Sequence, residues 1–448
     1  MRLLYFILYA ILPYTLKIYY PKKKITNNPK KYLGRTIYVS NHAASFMDPL
    51  VIASQTRPIV FFMTRADIFT PLMKPILWAA HMLPIFRQHD GGDTKGKNKE
   101  VFQKCARVLK YGRNLLIFGE GFTDDVFVRR LKPLKKGAPR IGFDTLESIG
   151  WSKKIYIATV GINYGDPNVI GSEMIISNGS HICLNDYKEE YLANPNKVVT
   201  QIMNLLEKDL QNQLTHVEEY DWAFFHEHVT RMKRIGIDPF DKDTSVPLLQ
   251  RWENSKSFAK WINEQDLDDE ELLALKKDLN SYFSLLKKLR ITDTVVYEEA
   301  ENKQNIGLKW LKIILLLPFS VLGVIHNYLP YKLIKSFVEK SFKRRVFWAS
   351  VKMLLGVIAI GLWNIPLVML MHYFIIKPLC VGFENYAWAV SLAYYSIVPW
   401  FGVCAYYSRR WYENIQQHKK LKKQLSGLAE RRKFLLERIN RLSFFTTK

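Results

Sequence analysis

The 448-residue sequence contains no Gly-x-Ser-x-Gly elbow, no Walker phosphate loop and no dinucleotide fingerprint. Serine-hydrolase, P-loop and Rossmann chemistries therefore have no motif to rest on. Cysteine is scarce: Cys105, Cys183, Cys380 and Cys404 stand far apart, without a Cys-x-x-Cys pair or a histidine at zinc-finger spacing. That pattern argues against a disulfide framework or a zinc site. His226 and His228, two positions apart, project to different faces of a helix with no third ligand near them, so they read as structural and no metal is expected.

Acidic residues are also in short supply, 41 against 65 lysines and arginines, for a formal charge of +24. Such a balance attracts a polyanion, either nucleic acid or an anionic membrane surface. Aromatic residues at 14% and long apolar runs near both ends favour the membrane over nucleic acid.

Met1 to Tyr20 is apolar and aromatic, with no small-residue cleavage site before the lysines at 22–24, and so makes a poor signal peptide. Its length and Lys17 suggest a helix lying at the interface as an anchor, residues 1–24. Further runs at 311–329, 347–376 and 386–407 read as membrane segments. The loop at 332–345 carries six basic residues, and with the basic tail at 409–448 it is expected on the cytoplasmic side. The second and third runs would then form a transmembrane hairpin. The first, interrupted by Pro318, is expected to be interfacial or re-entrant.

Between the ends, residues 35–187 alternate short apolar runs with helical stretches, the pattern of an α/β domain. Strands are expected at 36–39, 59–62, 115–118 and 155–160, and helices at 49–54, 71–81, 99–109 and 140–147. Residues 201–305 read as a charged helical region in which Leu272, Leu275, Leu279, Phe283 and Leu286 share one packing face.

The chemistry centres on Asn41-His42, followed by Asp48-Pro49. A hydroxyl attacking a thioester needs a base that titrates near neutrality, and a carboxylate can hold the imidazole in its working tautomer. Six positions along one helix would separate the two side chains by about 120°, so at least one must lie on the loop between strand and helix. A plainer reading makes Asp48 the N-cap of a helix begun by Pro49 and His42 a surface residue.

The neighbouring blocks bear on that choice. Asn41-His42…Asp48-Pro49 resembles the first motif of the glycerophospholipid acyltransferase family, PlsC-type, in a branch with five residues between His and Asp. Leu83-Pro84-Ile85-Phe86-Arg87 is similar to its second motif, and Ile117-Phe118-Gly119-Glu120-Gly121 to its third, with Gly119 in place of proline. The stretch from Leu131 to Arg140 resembles the branch's Leu-x-Pro-Leu-Lys-x-Gly-Ala-x-Arg element, and Val160 to Tyr164 the fourth motif. After that fourth block the family's arginine and proline are missing, with Gly171-Ser172 and Gly179 to Ile182 in their places.

The resemblance implies an acyltransferase domain at 25–200 with a mixed central sheet flanked by helices. A helical region (201–305), a membrane region with a transmembrane hairpin (306–408) and a basic cytoplasmic tail (409–448) would follow. It implies O-acyl transfer from acyl-CoA or acyl carrier protein to glycerol 3-phosphate or 1-acylglycerol 3-phosphate in phospholipid biosynthesis. His42 would be the base and Asp48 its partner. Asn41, Arg87, Glu120, Gly121, Lys135, Lys136 and Arg140 would hold the acceptor. No cofactor beyond the acyl donor is implied, and the partners would be membrane lipid and these substrates, not nucleic acid. Another amphiphilic acceptor, such as an aminolipid or glycolipid precursor, and a non-catalytic basic membrane-binding protein are the alternatives.

Overall fold

The computed structural model describes residues 3–27, 33–55, 60–86 and 94–446. Arg87 lies outside the described residues. The chain forms two compact units, Met1–His226 with Thr244–Gln265, and Glu227–Asp243 with Asp266–Lys448.

The first unit is built on a mixed sheet. Its strands are β1 (Lys22–Thr26), β2 (Thr36–Ser40), β3 (Val60–Arg65), β4 (Met82–Ile85), β5 (Asn114–Phe118), β6 (Tyr156–Tyr164), β7 (Glu173–Asn178) and β8 (Ile182–Cys183). They lie in the order β1-β7-β6-β2-β5-β3-β4, with β8 also on β6. The pairings of β6 with β7 and β8 are antiparallel and the others parallel. Every residue of β2 is buried, as expected of a central parallel strand covered on both faces.

Four strands beyond those anticipated complete the sheet: β1, β4, β7 and β8. The two outermost show why the sequence hid them. Strand β1 reads Lys-Lys-Lys-Ile-Thr and β4 contains Pro84. Lysine-rich and proline-bearing strands are tolerated at sheet edges, where they discourage further pairing, and they carry no strand-like apolar pattern.

Helices α1 (Leu3–Tyr19), α2 (Met47–Ala53) and α3 (Lys74–Ala79) pack on one another. Helices α4 (Thr94–Lys110), α5 (Gly137–Ser148), α6 (Lys188–Ala193) and α7 (Pro195–Gln213) share one apolar core with Ile37, Val39, Leu115 and Ile117 of the sheet. Helix α8 (Tyr220–Met232) is divided between the units, and α9 (Leu248–Asn263) belongs to the first. The histidines of α8 are structural, as expected: His226 Nε2 meets the Ser255 carbonyl at 2.8 Å, and His228 stacks on Phe283 at 4.3 Å. Burial pushes both down to about 3, so both rings are neutral at physiological pH.

The second unit holds α10 (Glu270–Leu289), α11 (Asp293–Ala300), α12 (Ile306–Ser341), α13 (Trp348–Met371), α14 (Lys377–Leu379) and α15 (Ala387–Asn440). On α10, Leu275, Leu279 and Leu286 are buried, with Leu272 and Phe283 half-buried beside them. Among the described residues, three stretches are long and apolar enough to cross a membrane, Ile306–Ser341, Arg345–Leu379 and Glu384–Asn440.

Two features of these helices concern the apolar runs. The run at 311–329 is not broken at Pro318 but lies within one helix of 36 residues, about 54 Å long. The first and third runs pack closely on one another and lie antiparallel. Lys309 Nζ donates to Asn414 Oδ1 at 2.7 Å, Ser320 meets Ser408 at 2.9 Å, and Asn327 Nδ2 donates to the Val398 carbonyl at 3.1 Å. The basic half of α15 thus returns to the end of α12 where α10 and α11 lie, with Gln417 Nε2 donating to the Arg290 carbonyl. The basic stretch at 332–345, expected as a loop, is for the most part the last turns of α12 itself, at the end of that helix away from Lys309 and Asn414. Charge counting along the sequence has no access to which helices pair.

Candidate active site

Parallel strands β2 and β5 end side by side, with Ser40 opposite Phe118. Their carboxyl ends deliver the loops that carry His42 and Glu120, the position where open α/β sheets bind ligands. Asn41 pins the first loop to β6: its Nδ2 donates to the Ile162 carbonyl at 3.0 Å and its Oδ1 accepts from the Ile162 N–H at 2.9 Å. Asn41 is buried, and these two bonds brace the loop.

Loop residue Ser45 takes a left-handed φ of 53° and the chain then enters α2. Asp48 lies within the first turn of that helix, and Phe46, not Asp48, is the N-cap. The carboxylate turns back toward the loop. Its Oδ2 meets His42 Nδ1 at 2.9 Å and accepts from the Ala44 N–H at 2.9 Å, while its Oδ1 accepts from the Tyr164 hydroxyl at 2.9 Å. Asp48 is wholly buried, so these three donors replace the water its charge has lost. The plainer capping reading of Asp48 is thereby set aside.

A carboxylate oxygen only accepts, so His42 Nδ1 carries the proton and Nε2 the lone pair when the ring is neutral. The ring stacks on Phe118 with centroids 4.2 Å apart, and its side chain stays 20% exposed. An imidazole fixed at one nitrogen, braced on one face and reached by solvent can act as a general base.

Glu120 is bonded to the histidine loop. Its Oε1 accepts from the His42 backbone N–H at 2.7 Å, and its Oε2 lies 3.5 Å from Lys132 Nζ. The residue is buried, and burial raises its carboxyl above the ordinary range, against the lowering by the His42 N–H and by Lys132. One oxygen thus holds the histidine loop and the other faces Lys132. Lys132 is also tied to Asp124 at 3.1 Å and to the Phe122 carbonyl at 2.9 Å, so it closes the loop from Glu120 to Asp124.

The other expected site residues divide. Gly121, at φ +76°, lies under Lys135: a Cβ there would meet Lys135 Nζ at 2.8 Å. Lys136 turns to α7, where its Nζ donates to Thr200 Oγ1 at 2.7 Å, and Arg140 is exposed on α5. Lys135 accordingly stays beside the Glu120 loop, and Lys136 does not join it.

Three contributors carried no assigned role in the sequence reading: Phe118, Lys132 and Tyr164. Each stood inside a motif that was noticed, and only the fold shows what it touches. Behind the loop, Asn41, Ala43, Arg129, Ile162 and Tyr164 line a cavity of about 20 Å3. It has room for about one water.

No curated protein sequence matches the chain. Residues 22–163 match the Acyltransferase family, a stretch that runs from the first residue of β1 into the end of β6 and takes in His42, Asp48 and Glu120. The chain therefore carries an acyltransferase domain of the PlsC type at residues 22–163.

Proposed function

We propose that the protein transfers an acyl group from acyl-CoA or acyl carrier protein to a hydroxyl of glycerol 3-phosphate or 1-acylglycerol 3-phosphate, a step of phospholipid biosynthesis. The observation that carries the reading is the 2.9 Å contact of His42 Nδ1 with buried Asp48, inside the segment that matches the family. His42 Nε2 takes the acceptor's hydroxyl proton as its oxygen attacks the thioester carbonyl. The new C–O bond forms, the C–S bond breaks, and the proton passes to the departing thiolate. Asp48 stabilises the imidazolium between these events.

Arg87, by resemblance, and Lys135 beside Gly121 supply cations for the acceptor phosphate. The catalytic domain faces the cytoplasm, where thioester donors are made, and the long apolar helices hold it at the membrane.

The test is incorporation of labelled acyl groups by membranes containing the wild type or His42→Ala, offered each acceptor in turn. Labelling by the wild type and a loss of about 100-fold or more in the variant is expected. Equal activity of the two proteins would overturn the role of His42, and wild-type labelling of neither acceptor would overturn the substrate.

A further inference from the structure

Apart from Thr15 and Lys17, helix α1 is made of apolar and aromatic residues. One stripe, Tyr5, Leu12, Leu16 and Tyr19, is buried against the first unit. The opposite stripe, Leu3, Phe6, Ile7, Ile11 and Tyr14, recurs at helical spacing and is exposed. A helix without a polar face is stable in water only when something apolar covers its outer side. At 17 residues, about 26 Å, α1 is short of the roughly 30 Å hydrocarbon core.

A second exposed apolar element adjoins it. In the turn before α3 and on α3 itself, Leu72 is 79% exposed and Trp78 57%, with Met73 and Ile76 also exposed. The two elements are fixed to each other. His81, just after α3, is sandwiched between Tyr5 of α1 and Phe61 of β3, each ring centroid 4.4 Å away, and α1 packs on α3 directly. Their exposed apolar side chains, with exposed Lys17 on α1 and exposed Lys74 on α3, make an apolar face on these two packed elements. Lysines so placed can lay their stems on apolar surface and send their charge to lipid phosphates.

We propose that this face is a lipid-binding surface: the segment Pro71–Trp78 enters the interfacial layer of the bilayer beside α1, and the catalytic domain is itself seated on lipid. The occupant is a bilayer, not a second protein surface. The rest of the chain already offers helices able to cross a membrane, and a tryptophan among leucine, isoleucine and methionine, with lysines alongside, matches the headgroup boundary. The far end of α1 reaches the site, since Tyr20 lies 5.5 Å from Tyr164, the donor to Asp48. The proposal does not depend on which hydroxyl is acylated.

Leu72→Cys and Ile76→Cys, in the full chain with its native cysteines replaced, are labelled with an environment-sensitive fluorophore and reconstituted in vesicles of phosphatidylcholine and phosphatidylglycerol. Asn204→Cys, exposed on α7, is the control. Lipids carrying a doxyl quencher should quench positions 72 and 76 several-fold more than 204, and aqueous iodide should do the reverse. Quenching by iodide at 72 and 76 overturns the proposal. Shielding from both quenchers also overturns it, because protein then covers the face. Melting temperatures close to the wild type's show that the labelled variants are folded, without reference to any substrate.

Discussion

The Tyr164 hydroxyl donates to Asp48 Oδ1 at 2.9 Å, on the oxygen that His42 does not use. Tyr164 is fully buried, and burial with the neighbouring Asp48 charge holds its phenol well above the ordinary range, so it remains a donor throughout the working pH range. Its bond draws negative charge away from the oxygen that faces His42.

Tyr164→Phe keeps the ring and removes the donor. We expect kcat to fall about tenfold, the loss of roughly 1.4 kcal/mol of a charge-assisted bond. With more charge left on Asp48 the imidazolium is favoured, so the acid limb of the kcat/KM profile should move to higher pH. A merely structural role would lower the whole profile and leave the limb in place.

Glu120 sets up a pH dependence of stability. Burial raises its folded-state pKa above the unfolded value of about 4.3. The folded chain therefore binds this proton more tightly, and the group's contribution is fully present below about pH 4 and lost as pH rises through the folded value. Glu120→Gln keeps an oxygen for the His42 N–H and has no proton to lose, while Lys132 keeps Asp124 and the Phe122 carbonyl. The melting temperature of the variant relative to wild type should rise between pH 4 and pH 7. A fall over that range would show that the charged Glu120–Lys132 pair stabilises the fold.

Gly119 stands where the family has proline. A Cβ at this position would meet Leu134 Cδ2 at 2.8 Å and Val39 Cγ1 at 3.4 Å, so Leu134 occupies the space that a proline ring needs. Gly119→Pro should destabilise the domain, and adding Leu134→Ala should recover part of the loss. The two substitutions, measured by thermal melting as a double-mutant cycle, should couple by about 1 kcal/mol or more in the recovering direction. Simple additivity would mean that the backbone, not Leu134, rejects proline.

The central strands and the His42–Asp48 pair were legible because each is a local pattern: a β-branched run, or two polar residues a few positions apart at a strand end. The edge strands were not, since β1 and β4 carry the lysines and the proline that edges permit. Asp48 was ambiguous because capping and histidine orientation use the same residue before the same proline. Only Tyr164, 116 positions away, and the Ala44 N–H decide between them. The pairing of α12 with α15 was hidden for a similar reason. It joins residues far apart in the chain, such as Asn327 and Val398, 71 positions apart, and such partnerships leave no mark in hydropathy.

The distal half of α15 is fastened to the second unit by Arg432. This residue is 2% exposed, and its Nε lies 3.0 Å from both oxygens of the fully buried Asp293. Its Nη2 donates to the Met232 carbonyl at 2.6 Å, and the Tyr282 hydroxyl donates to Asp293 Oδ1 at 2.7 Å. Arg432→Met leaves the Asp293 charge in the interior with one neutral donor, an imbalance that typically costs about 3–5 kcal/mol. Arg432→Met with Asp293→Leu removes both charges and should be far more stable than the single variant. Limited proteolysis of the purified chain checks this: the single variant should be cut in α15 beyond Arg410 at protease levels that leave the double variant and wild type whole. Equal resistance of all three proteins would mean that the apolar contacts of Leu425, Leu428 and Leu435, all buried, hold the helix without the ion pair.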